Sequence, residues 1–81
     1  MASKFQTKII KEYESEGWYV VNLIKTNKNG IPDLVCFKEG SKTIFIECKE
    51  KTDTLKPLQA FRIKELKQYG VDAVCLQDNK N

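Results

Sequence analysis

Histidine is missing from the 81 residues, and that absence removes several chemistries at once. Ser-His-Asp and Cys-His nucleophilic catalysis, imidazole-ligated zinc and histidine general bases are all excluded. Any catalysis must rest on carboxylates, lysine, tyrosine or a bound metal. Long apolar runs are missing too. None approaches the roughly 20 residues of a membrane-spanning helix, and the opening MASKFQTK lacks the apolar stretch of a signal peptide. The expected setting is therefore the cytoplasm, or the host cytoplasm for a phage-encoded chain, with no membrane partner. Cysteine is sparse and odd in number: Cys36, Cys48 and Cys75 lack metal-ligand spacing and fall in strand-like runs. Free thiols in a reducing compartment are the expectation. There is no internal repeat, no low-complexity segment, and only a small excess of positive charge, +3, which is compatible with a polyanionic partner without requiring one.

What remains is enough for one small domain, expected over residues 1–81. Ser3 followed by Gln6 is a capping-box pattern, and Phe5, Ile9 and Tyr13 form an apolar stripe behind it, predicting a helix from Ser3 to Glu16 stopped by Gly17. WYVVNLI reads as a strand, and KNG as a tight turn into a second strand, IPDLVCF. KEGSK reads as another turn and TIFIECK as a third strand. After the polar loop EKTDTL, Pro57 opens a helix running to Tyr69 and closed by Gly70. DAVCL is a short last strand and QDNKN a frayed tail. The order is αβββαβ, read as an antiparallel meander with helices on one or both faces. The middle strands are apolar at nearly every position, which implies burial on both faces.

Against that background Asp33, Glu47 and Lys49 stand out, because a charge in a buried strand is unfavourable unless paired, hydrated or metal-bound. A hairpin centred on Gly40 sets Asp33 opposite Glu47, and the two-residue spacing puts Glu47 and Lys49 on one face. Opposed carboxylates repel, and a divalent cation such as Mg²⁺ relieves the repulsion while taking further oxygens from water, substrate and the Cys48 carbonyl. The alternative is an ion-paired cluster neutralised by Lys49. Polar residues on the inward faces of both helices, Gln6 on the first and Gln59 and Arg62 on the second, favour a shared polar pocket. For Gln6 the competing role is capping, and for Arg62 it is snorkelling to the surface.

GIPDL, the hairpin, IECKE, the polar loop and LKPLQAFRIKELKQYGVDAVCL together resemble the virus-type replication-repair nuclease (VRR-NUC) branch of the PD-(D/E)XK nuclease superfamily. The resemblance spans nearly the whole chain. It implies a restriction-endonuclease-like α/β core, a mixed four-stranded sheet flanked by two helices. It implies that Asp33, Glu47 and the Cys48 carbonyl bind Mg²⁺ or Mn²⁺, that Lys49 orients the attacking water or steadies charge on the phosphate, and that Gln59 supports the site. Members often carry a glutamate on the first helix where this chain has Gln6, so a second metal site is not implied. The implied activity is metal-assisted hydrolysis of DNA phosphodiesters, with branched or flapped DNA as partner, as in Holliday-junction resolvases, and a phage or mobile element as source. A catalytically silent nucleic-acid-binding module, a nuclease directed by a partner protein, and a purely structural protein with a salt-bridge cluster are the alternatives. Lys25, Lys28, Lys51, Lys56 and Arg62 are candidate backbone contacts. Leu58 and Phe61 lie outside the inward stripe of the second helix, a candidate surface for a homodimer.

Overall fold

A computed structural model describes residues 3–79. The outermost residues of the expected 1–81 domain, including the last two of the QDNKN tail, lie outside the described residues.

The first helix, α1 (Lys4–Ser15), starts where the sequence pattern placed it. Ser3 is its N-cap, and the serine Oγ accepts the Gln6 N–H at 3.1 Å. Phe5 and Ile9, one turn apart, are its buried residues. The helix closes as the Trp18 N–H donates to the Tyr13 carbonyl at 3.1 Å across Gly17.

Four strands follow: β1 (Tyr19–Asn22), β2 (Leu34–Phe37), β3 (Ile44–Lys49) and β4 (Asp72–Gln77), with α2 (Pro57–Gln68) between the last two. They lie side by side in chain order. The β2–β3 hairpin pairs Leu34 with Ile46, Val35 with Phe45 and Cys36 with Ile44, the register expected for a turn centred on Gly40. β4 does not continue the meander. It runs parallel to β3, pairing Ile44 with Asp72 and Lys49 with Gln77, because a connection through the 12-residue α2 carries the chain back to the starting end of the sheet. The sheet is therefore mixed.

Two local expectations are corrected. The second strand begins at Leu34 rather than Ile31. Pro32 has no N–H to give a ladder, and the Asp33 side chain, not its main chain, makes the next bond to β3. The Asn29–Gly30 turn is present, but inside the longer loop 23–33 rather than as a two-residue hairpin. Gly30 has φ +81°, and a Cβ there would lie 2.8 Å from Leu58 Cγ, so the loop needs glycine for both conformation and close approach to α2.

Alternation along the strands divides the sheet into two environments. One face carries Leu34, Cys36 and Ile46, each fully buried, and packs against Phe5 and Ile9 of α1. Burying each aliphatic side chain there contributes roughly 1.5–3 kcal/mol. Phe45, Glu47 and Lys49 alternate onto the other face. Helix α2 adds nothing to the α1 cluster and packs against β4. Gln59, Arg62, Ile63 and Leu66 are its partly buried stripe, as the sequence spacing indicated, and Leu58 and Phe61 are 43% and 54% exposed.

Candidate active site

Asp33 sits where β2 starts, and both its main chain and its side chain hold the strands together. Its carbonyl accepts the Leu23 N–H at 2.8 Å just beyond β1. Its Oδ2 accepts the Cys48 N–H of β3 at 2.9 Å. The carboxylate thus takes the place of a backbone carbonyl at the end of the ladder, and the hairpin register carried one residue past the Leu34–Ile46 pair sets Asp33 against Glu47. Glu47 and Lys49 point to the same face as Asp33 and are 3% and 4% exposed.

These groups are electrostatically strained in a way that hydrophobic packing does not explain. Burial, followed by the nearby Asp33 carboxylate, pushes the Glu47 carboxyl up to about 7, while Lys49 works in the opposite direction. Lys49 Nζ lies 3.6 Å from Glu47 Oε2 and 3.6 Å from Asp53 Oδ2. Both separations exceed the usual N–H···O range, so the ammonium is held by charge between two carboxylates rather than by one tight bond. The other Glu47 oxygen, Oε1, is buried with no hydrogen-bond partner among the described residues. A buried carboxylate oxygen without a donor is unfavourable, and it marks where a positive ligand belongs.

The residues present fit a hard divalent cation. Asp33 and Glu47 supply two carboxylates, and Glu47 Oε1 has no competing partner. In an extended strand the N–H and C=O of one residue face the same neighbour. The Cys48 carbonyl therefore lies on the edge that its N–H presents to Asp33. Among the described residues no cluster of three or more His, Cys, Asp or Glu side chains could hold a metal, so the ion's shell would be completed by the carbonyl, water and substrate oxygens, the habit of Mg²⁺-like ions. The three cysteines are free, and burial, then Asp33 and Glu47, pushes the Cys48 thiol up to about 12.

The remaining candidates separate. Gln59 Oε1 accepts the Lys56 N–H at 2.9 Å, capping α2. Gln6 does not fold back on its cap; its Nε2 donates to Asn22 Oδ1 at 3.1 Å, joining α1 to the end of β1. Arg62 is a tie rather than a free cation, donating from Nε to the Asn29 carbonyl at 2.9 Å and pairing with Glu65 at 2.9 Å. Lys25, Lys28, Lys51 and Lys56 are exposed on loops 23–33 and 50–56, which lead into Asp33 and away from Lys49. Sequence reasoning missed Asp53 and Gln77. The i,i+4 spacing of Lys49 and Asp53 was visible, but crossing from strand to loop it carried no helical meaning.

Residues 3–78 match the family model of the VRR-NUC domain. A solved structure described as a VRR_NUC domain superposes with a TM-score of 0.79 at 20% identity, covering 93% of this chain and 82% of that one. Hjc from Archaeoglobus fulgidus, a Holliday junction resolvase from an archaeal hyperthermophile, superposes with a TM-score of 0.70 at 16% identity. That match covers 89% of this chain and 65% of the resolvase, so this chain spans just under two thirds of its length. Both structural likenesses concern the fold. Among curated proteins, none matches the sequence.

Proposed function

This chain belongs to the VRR-NUC domain family, a family of nuclease domains, and we propose that it is a metal-dependent endodeoxyribonuclease selective for branched DNA. The reading is supported above all by the buried Glu47 and Lys49 beside the half-buried Asp33, with Glu47 Oε1 lacking a hydrogen-bond partner among the described residues. A protein needing only a salt bridge gains nothing from that orphaned oxygen.

Asp33 and Glu47, with the Cys48 carbonyl, would hold the ion, Mg²⁺ or Mn²⁺. When bound it polarises the phosphate, lowers the pKa of a coordinated water and offsets developing negative charge. Asp33 is pre-oriented by the Cys48 N–H, which fixes the spacing of the two carboxylates before the ligand arrives. Lys49 presents an ammonium beside Glu47, placed to orient the attacking water or to steady charge on the scissile phosphate. Lys25, Lys28, Lys51 and Lys56 provide cations for the flanking backbone. Gln59 and Gln6 support the scaffold through the α2 cap and the α1–β1 link. Selectivity for junctions is supported by the fold shared with Hjc, a Holliday junction resolvase. A homodimer, paired across the exposed Leu58 and Phe61, would present two sites to a branched substrate.

The test is cleavage of end-labelled four-way junction, flap and linear duplex DNA with Mg²⁺, with Mn²⁺ and with chelator. Junction or flap should be cut in either metal and spared in chelator. Asp33→Ala and Lys49→Ala should each lower the rate on the order of 100-fold or more. Activity surviving both substitutions would place the chemistry elsewhere, and binding without cleavage in any metal would favour a silent DNA-binding module.

A further inference from the structure

Lysine carries its charge on a flexible four-carbon stem, so a lysine serving a reacting phosphate must be held in place. Lys49 has two anions within reach, Glu47 Oε2 and Asp53 Oδ2, each 3.6 Å from Nζ. They are not equivalent. In the nuclease reading Glu47 shares a cation with Asp33, and its charge is then largely spent on that ion. Asp53 lies outside the ligand pair and remains available to the ammonium.

Its surroundings fix it there. The turn after Lys49 is closed by the Asp53 N–H donating to the Glu50 carbonyl at 3.0 Å. Gln77, the register partner of Lys49 on β4, grips the same turn: its Nε2 donates to the carbonyls of Glu50 at 3.1 Å and Asp53 at 2.6 Å. Asp53 Oδ1 accepts the Thr54 N–H at 3.0 Å, which leaves Oδ2 turned toward Lys49. These four hydrogen bonds aim one half-exposed carboxylate at one buried ammonium.

We infer that Asp53 is the positioning residue for Lys49, and that Gln77 is the clamp holding the Asp53 turn against the end of the sheet. The inference rests on the nuclease reading for the meaning of Lys49, and its structural half stands without it. Asp53→Asn removes the charge while keeping an oxygen for Thr54. In the nuclease assay it should lower kcat on the order of 10- to 100-fold, with KM for junction DNA and calorimetric Mn²⁺ affinity changed by less than about twofold. Gln77→Ala should move kcat in the same direction, by a smaller factor. A second arm needs neither metal nor DNA. In metal-free Glu47→Gln protein, where Asp53 is the anion left beside Lys49, NMR of the Lys49 side-chain methylenes should show an ordered stem that becomes rotamer-averaged when Asp53→Asn is added. An unchanged kcat, or equal losses in KM and Mn²⁺ affinity, would overturn the inference. So would a Lys49 stem equally mobile in both proteins. Should the wild type cut no DNA at all, the nuclease reading fails and the NMR arm alone decides the placement of Lys49.

Discussion

Replacing Glu47 by glutamine in the metal-free protein isolates the electrostatic burden of the site. The wild-type carboxyl is pushed from 4.5 up to about 7. A raised carboxyl binds its proton more tightly in the folded state, so its contribution favours folding below its unfolded pKa. That contribution declines as pH rises from the unfolded value through the folded one. Glutamine resembles the protonated acid at every pH. Between about pH 5 and about pH 8 the two titration curves imply pH-dependent destabilisation on the order of 2–3 kcal/mol, carried by the wild type alone. Glu47→Gln should therefore gain on the wild type by about that amount over the interval, whatever fixed offset its altered hydrogen bonding introduces. For a domain of this size the melting-temperature gap should shift by roughly 10–20 °C. The assay is thermal or urea denaturation of both proteins in chelator at several pH values. A gap that stays constant across the interval, or narrows as pH rises, would mean that burial and Asp33 do not strain the Glu47 charge.

Other consequences follow from the same geometry. Saturating Mg²⁺ or Mn²⁺, at about 100 times its dissociation constant, should stabilise the wild type by about 2.7 kcal/mol and leave Asp33→Ala melting unchanged; differential scanning fluorimetry reads this directly, and a null result in the wild type counts against a cation site. Gly30→Ala should destabilise by about 1–3 kcal/mol in urea titration, since φ there is +81° and the new Cβ meets Leu58 at 2.8 Å; neutrality would mean that the loop repacks freely. Leu58→Asp with Phe61→Asp should convert the proposed dimer to a monomer in sedimentation at micromolar concentration while the melting temperature moves by only a few degrees, and a wild type already monomeric there would remove the dimer from the account.

Where local chemistry decides structure, the sequence was readable. Ser3 announced the start of α1, Pro57 that of α2, and the turn around Gly40 fixed the β2–β3 register, which brings Asp33 and Glu47 together. Even the outward flank of α2, Leu58 and Phe61, followed from helical spacing. The parts that escaped depend on distant partners. Nothing local tells DAVCL to lie parallel to β3, because its direction is set by how α2 returns the chain. Gln6 bonds Asn22 across 16 positions, Arg62 reaches the Asn29 carbonyl across 33, and Gln77 clamps the Glu50 and Asp53 carbonyls across 27 and 24. Each of these side chains suits several partners, and only the assembled sheet selects one. Gln59 is the local case: its Oε1 accepts the Lys56 N–H three residues back while the residue keeps its partly buried place on α2.

In the proposed reading Asp33 and Glu47 together hold a divalent ion. Anomalous diffraction from crystals grown with Mn²⁺ measures this most directly. The expected result is one strong peak within about 2–2.5 Å of a carboxylate oxygen of each residue and of the Cys48 carbonyl, absent from Asp33→Ala crystals. A peak bound elsewhere, or none at saturating Mn²⁺ with both side chains ordered, would contradict it.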